Sequence, residues 1–260
     1  MMNTMRPTLW LWGIAALGIV LILVLNYVRL PEQPRAPMAT SGIQIAPIQH
    51  STAVISFEGT LFYTDPVGGD EAFTGQSPAN IILLTDIHGD HLDAETLLGV
   101  RRDATLVAPQ SVFDELPEAL QAVTRVVNNG ETIEEQGFSI TAIPMYNHPE
   151  SENAKFHTKG RGNGYLIEKN GKRLYIAGDT AGVPEMRALT NIDVALVPMN
   201  LPYTMDVDEA ADAVLAFAPR HVYPYHYRGP TGFSDVARFK ELVEAQNPDI
   251  DVVLLNWYPD

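Results

Sequence analysis

Ile81-Ile82-Leu83-Leu84-Thr85-Asp86-Ile87-His88-Gly89-Asp90-His91-Leu92-Asp93 is the stretch that decides how this chain is read. Ile81 to Leu84 form an uninterrupted apolar run, too short for a helix and of the right length for a strand buried on both faces. From Asp93 onward, Asp-Ala-Glu-Thr-Leu-Leu predicts a helix with Asp93 as its N-cap, the carboxylate accepting the free N–H groups of the first turn. The loop between them carries Asp86, His88, Asp90 and His91, all able to bind a metal ion. The first three alternate and His91 breaks the alternation, so this loop can offer donors to two adjoining positions. A helix-capping role would account for Asp90 or Asp93 singly. Two His and two Asp this close together at a strand exit point instead to a metal site.

Working outward, other strand exits repeat the theme. Leu174-Tyr175-Ile176-Ala177 reads as a strand, paired with Tyr165–Glu168 around an Asn170-Gly171 turn, and it delivers Gly178-Asp179-Thr180. His221-Val222-Tyr223-Pro224-Tyr225 reads as a strand delivering His226, with His221 structural at its far end. His148 follows the strand ending at Ile143, and His157 lies in the polar, glycine-rich loop beyond it. His50, between early strands, is read as a structural or pocket-wall histidine. Strand exits along one edge of a layered sheet fold lie close in space, where sites are commonly built.

Asp86-x-His88-x-Asp90-His91 resembles the signature loop of the metallo-β-lactamase-fold hydrolases, usually His-x-His-x-Asp-His, with Asp86 in place of the first His. Gly178-Asp179-Thr180, Asn200-Leu201-Pro202-Tyr203-Thr204-Met205 and Tyr223-Pro224-Tyr225-His226 follow in the family's order. Phe156-His157-Thr158-Lys159-Gly160 is similar to a segment of its lactonase-like branch, which includes ascorbate 6-phosphate lactonase. The resemblance implies an α+β fold, a four-layer αββα sandwich over residues 43–260. It implies two metal ions per chain. Asp86, His88 and a third histidine would hold one; Asp90, His91 and His226 the other; Asp179 would bridge them. His148 and His157 can both supply the third donor, and His157 is preferred because its glycine-rich loop can fold back over the ions. Zinc suits these donors, and manganese or iron would also serve. The implied reaction is hydrolysis of an ester, lactone or phosphodiester by metal-activated water. Asp90 would act as the catalytic carboxylate, and Lys159, Tyr203 and Tyr225 are candidate substrate contacts. The altered first position also admits a non-hydrolytic metal-binding or sensory protein on the same fold.

Composition narrows the partners. The 260 residues carry a formal charge of −15 and no cysteine. So acidic a chain is a poor match for a nucleic acid, whose phosphates need Lys and Arg, and it can form no disulfide or thiolate metal site. A small-molecule substrate fits better. At the N-terminus no charged residue lies between Pro7 and Val28, and Leu9 to Leu25 is apolar throughout. At about 1.5 Å per residue such a helix spans roughly 30 Å, the hydrocarbon thickness of a bilayer. Residues 1–29 therefore read as a transmembrane anchor, with a cleaved signal peptide as the rival. A Pro-rich linker follows over residues 30–42. The hydrolase domain is expected outside the cytoplasm, on the periplasmic side if the source is bacterial.

Overall fold

Ile81 and Leu83 point one way and Ile82 and Leu84 the other, and each pair meets a different hydrophobic layer. That is why this strand is apolar without alternation. In a computed structural model, which describes residues 42–258, it is the centre of a sheet with order β1-β2-β3-β4-β5-β6. The strands are β1 (Ile43–Gln49), β2 (Thr52–Phe57), β3 (Thr60–Thr64), β4 (Ile81–Leu83), β5 (Thr105–Ala108) and β6 (Thr124–Val126). The first three form an antiparallel meander and the next three add in parallel.

A second sheet repeats the scheme with β7 (Thr132–Glu135), β8 (Phe138–Met145), β9 (Gly162–Lys169), β10 (Lys172–Ile176), β11 (Val194–Pro198) and β12 (His221–Tyr225). β7 to β10 are antiparallel neighbours, and β11 and β12 continue in parallel. A small hairpin, β13 (Arg228–Gly229) with β14 (Gly232–Phe233), follows, and β15 (Asp251–Val252) closes the second sheet beside β12. Hairpin turns fall where Glu58-Gly59, Gln136-Gly137 and Asn170-Gly171 predict them, all six residues with positive φ.

The helices are α1 (Ala94–Val100), α2 (Gln110–Glu115), α3 (Glu118–Gln121), α4 (Pro184–Arg187), α5 (Val207–Phe217) and α6 (Val236–Gln246). Leu97, Val112 and Leu120 from the first three pack on Ile82, Leu84 and Leu106 of the first sheet. Met186, Val214 and Phe239 from the last three pack on Tyr175, Val197 and Val222 of the second. Ile81, Leu83, Leu174, Ile176, Val194 and Leu196 meet in a third cluster between the sheets. The order helix, sheet, sheet, helix follows directly from those three clusters.

Asp93 caps α1, its Oδ1 accepting from Glu95 N at 3.0 Å and Thr96 N at 3.2 Å. Asp206 caps α5 through Glu209 N at 2.8 Å, but the Glu209 side chain does not return the bond as in a capping box. Glu209 instead accepts the backbone N–H of Gly182 at 2.9 Å, just beyond the Asp179 turn. Among the described residues no helix is long and apolar enough to cross a membrane. The expected anchor at residues 1–29 and nearly all of the linker lie outside them.

Phe138 is the keystone between the sheets, its ring 5.1 Å from Phe57 and 5.0 Å from Phe62, both edge-on. Phe138→Ala should cost about 3–5 kcal/mol of unfolding free energy, because the cavity opens between two rigid sheets that cannot collapse into it. Denaturant unfolding of the two proteins measures this.

Candidate metal centre

The exits of β4, β10 and β12 bring the predicted residues to one edge. The β4 exit is locked from below by Asp65, whose Oδ1 accepts Thr85 N at 2.8 Å while its Oδ2 accepts Thr85 Oγ1 at 2.6 Å. The chain then turns, His91 N and Leu92 N both donating to His88 O, and Asp93 ends the loop by opening α1. Asp86 and His91 are fully buried, while the Asp90 side chain stays 44% exposed.

One set of donors gathers around Asp179. Its Oδ2 lies 3.4 Å from His91 Nε2 and its Oδ1 lies 3.5 Å from His226 Nε2. Those two imidazole nitrogens are 3.2 Å apart, and Asp90 Oδ2 is 3.3 Å from His226 Nε2. Donors on one tetrahedral ion with bonds of about 2.0–2.2 Å sit roughly 3.3–3.6 Å from one another. The buried Asp179 Oδ1 has no hydrogen-bond partner, a cost a folded protein normally avoids. The residues therefore fit a metal ion. His91 is turned toward it from behind, its Nδ1 2.8 Å from Asp65 Oδ2, the carboxylate–histidine arrangement that fixes the ring and leaves Nε2 as the ligand.

The second set is Asp86, His88 and His157. Asp86 Oδ2 is 2.9 Å from His88 Nδ1 and 3.8 Å from His157 Nε2. His157 Nδ1 donates to Tyr203 O at 3.1 Å, which leaves its buried Nε2 without a hydrogen-bond partner. That Nε2 lies 3.3 Å from Asp179 Oδ2, so Asp179 stands between the two sets. Of the two candidate third histidines, His157 joins this cluster, whereas His148 pairs with Glu209 at 3.5 Å beside a neighbouring cavity.

Electrostatics bind the arrangement. Burial would push the Asp179 carboxyl up, but His226 and His91 beside it hold it well below the carboxylate range. Burial would likewise lower His91, yet Asp179 and Asp65 on its two sides raise it well above the ordinary imidazole value. Asp90 is also held low, against desolvation, by its bonds to His226 and His50.

The expected substrate contacts divide. Tyr203 lines a cavity of about 320 Å³ with His88, Asp90, Phe156, His157, Asp179 and Asn200. Lys159 does not: its Nζ pairs with Glu185 at 2.5 Å and covers the Tyr146 ring, because that carboxylate is nearer than any in the cavity. Tyr225 is wholly buried and absent from the cavity lining, its hydroxyl accepting Gly178 N at 2.9 Å, so it holds the Asp179 turn from beneath. Three residues gain a part the sequence reading did not give them. Asp65 orients His91. His50 lies with Nε2 3.3 Å from Asp90 Oδ2 and its ring 3.8 Å from that of His226. Arg161 binds Asp86 through both guanidinium branches. The one available signal for Arg161 was the need of a buried Asp86 for a counter-charge.

Two measurements follow from this geometry. Asp65→Asn should weaken metal affinity about 10–100-fold by releasing His91, read by competition with a chromophoric chelator. In the metal-free protein, the raised value of His91 keeps it charged at neutral pH, and its stabilisation is lost as pH rises through that value. Ligation requires it neutral. Metal uptake at neutral pH should therefore release a proton from His91, seen as a dependence of the binding heat on buffer ionisation enthalpy; uptake with no proton release would contradict it.

Comparison with known proteins agrees with the geometry. The family model for the Beta-lactamase superfamily domain matches residues 60–227, more than half of the chain. A UPF0173 metal-dependent hydrolase of Thermococcus onnurineus is 35% identical over 170 residues, which cover 64% of this chain and 75% of that one. Its counterpart in Methanopyrus kandleri is 30% identical over 225 residues, covering 82% and 96%. A crystal structure of a Parabacteroides distasonis protein, 34% identical, superposes with a TM-score of 0.72 over 82% of this chain and 92% of that one. Igni18, a metallo hydrolase of Ignicoccus hospitalis, shares the fold at a TM-score of 0.69 and 24% identity, over 82% of this chain and 95% of that one. With its two facing sheets and its His and Asp clusters at the strand exits, this chain belongs to the β-lactamase superfamily domain family and is a metal-dependent hydrolase of the metallo-β-lactamase fold.

Proposed function

We propose that this chain hydrolyses a small ester, lactone or phosphodiester with divalent ions held at two adjoining positions. Asp90, His91, Asp179 and His226 form one, and Asp86, His88 and His157 the other. The observation that carries this reading is the convergence of Asp179 Oδ1 and His157 Nε2, both buried and both without a hydrogen-bond partner, on the space beside the cavity. Mixed imidazole and carboxylate donors favour zinc, with manganese or iron also suited. A divalent ion there supplies Lewis acidity toward a carbonyl or phosphoryl oxygen and makes a water molecule more acidic.

The chain's own residues do the rest. Asp90 faces the cavity, its carbonyl fixed by Ser51 Oγ and its carboxylate by His50, so it is placed to receive a proton from the attacking water. Tyr203 and Asn200 line the same cavity as His88 and Asp90, where a substrate would be oriented. A cavity of about 320 Å³ suits a small molecule. The Phe156–Gly160 segment and its His157 support a lactonase-like substrate first among the three classes. The apolar run of residues 9–25 supports tethering of this activity to a membrane, with the hydrolase domain extracytoplasmic.

Metal content measured by mass spectrometry, together with turnover of ester, lactone and phosphodiester probes before and after chelation, tests the proposal. Chelation should abolish hydrolysis of one class and re-addition of zinc or manganese should restore it. Asp90→Asn should lower kcat about 100–10,000-fold, with metal content followed in the same samples. Bound metal without chelator-sensitive turnover on any class would favour the non-hydrolytic reading instead.

A further inference from the structure

The two donor sets are not equivalent, and the difference lies in Arg161. Around Asp179 the donors are imidazole and carboxylate groups that face each other, and Asp179 Oδ1 has no hydrogen-bond partner. Around Asp86 the carboxylate is already paired, although His157 Nε2 beside it is not. Arg161 Nε donates to Asp86 Oδ1 at 2.9 Å and Nη2 to Oδ2 at 2.7 Å, a two-pronged pairing that engages both oxygens of a fully buried carboxylate. His88 closes the ring: its Nδ1 lies 2.9 Å from Asp86 Oδ2 and its Nε2 lies 3.4 Å from Arg161 Nη2. The guanidinium is itself fixed, Nη2 donating to Phe156 O at 2.6 Å and Arg161 O accepting from Ser111 Oγ at 2.6 Å.

Charge explains the pairing. A carboxylate in place of a neutral imidazole adds one negative charge to a buried position, and Arg161 removes it again. The pair is therefore neutral, as a histidine would be, but its positive half stays whatever else binds, because guanidinium does not lose its proton in proteins. An ion at the first position must share Asp86 with this fixed cation and displace the His88 Nδ1 contact; an ion at the second meets no such competitor.

We infer that Arg161 makes the two positions unequal: Asp90, His91, Asp179 and His226 grip one ion tightly, while Asp86, His88 and His157 hold a second that is weak and readily exchanged. This rests on reading the two sets as ion sites. Its consequence is that the Asp86 position responds to ambient metal concentration while the Asp179 position stays filled.

Titration of the metal-stripped full chain with zinc, and separately with manganese, by calorimetry and by metal analysis after dialysis, tests it without any activity measurement. The wild type should show one equivalent that survives dialysis and a second at least tenfold weaker. Arg161→Met should tighten the second equivalent at least tenfold and leave the first unchanged. Arg161→Lys, which keeps the charge, should stay within about threefold of the wild type. Asp86→His alone should weaken the second equivalent, and adding Arg161→Met to it should restore two comparable ions. Two equivalents of equal affinity in the wild type, or a looser second ion in Arg161→Met, would overturn the inference while leaving the proposed hydrolase intact. Binding of neither metal by the wild type would remove the ion sites themselves. Should Arg161→Met fail to fold, the wild-type stoichiometry and Arg161→Lys still decide.

Discussion

Three buried carboxylates at one edge of a protein cannot coexist without positive charge among them. Asp65, Asp86 and Asp179 are each at most 3% exposed, and desolvation alone would force them to take up protons. The structure places a basic side chain beside each. Asp65 has His91, Asp86 has Arg161, and Asp179 has His91 and His226. Two of these answers are exchangeable: His91 can give up its proton, and a divalent ion beside it would then supply the positive charge. The third is permanent. The chemistry of the edge is thus set by which counter-charges can be exchanged, and His91, flanked by carboxylates at both ring nitrogens, is where proton and metal compete most directly.

The fold imposes this crowding. The last residues of strands β4, β10 and β12 before their exits are buried, Ile81 to Leu83, Leu174 to Ile176 and Pro224 to Tyr225, so the polar groups of the site come only after them. The exits are then tied together below the site. Tyr165 donates from the second sheet to Leu84 O at 2.7 Å, Asn163 N to Thr85 O at 2.9 Å, and Tyr225 holds Gly178. These bonds fix the separation of the β4 loop from the Asp179 turn, and with it the ability of one carboxylate to reach His91, His157 and His226 at once.

How much of this was legible in the sequence depends on how each residue is delivered. Asp86, His88, Asp90, His91, Asp179 and His226 follow apolar runs directly, so periodicity alone places them at strand ends. Residues reached through irregular loops were not legible in the same way. His148 and His157 differ by the hydrogen bonds of Asn147 and Tyr203, which turn His157 inward and which no local pattern announces. Lys159 and Arg161 are two positions apart in one glycine-rich loop, yet Lys159 pairs outward with Glu185, 26 residues away, and Arg161 inward with Asp86, 75 away. The tertiary partner decides, and composition treats the two cations alike.

The C-terminal end shows the same limit from the other side. His50 and His226 both hold positive φ, 49° and 47°, at a cost of about 1–2 kcal/mol each for a residue with a Cβ. Each is held there by backbone bonds that run in series: His226 N donates to His50 O, and His50 N donates to Trp257 O, both at 3.2 Å. Tyr258 adds its hydroxyl, which accepts the N–H groups of Tyr227 and Arg228 and lies 2.7 Å from His50 Nδ1. Trp257, fully buried against Tyr225, anchors the segment to the core between the sheets. The strained backbone at His226 is thus maintained by Trp257 and Tyr258, so this candidate ligand is positioned only when the C-terminal segment has docked.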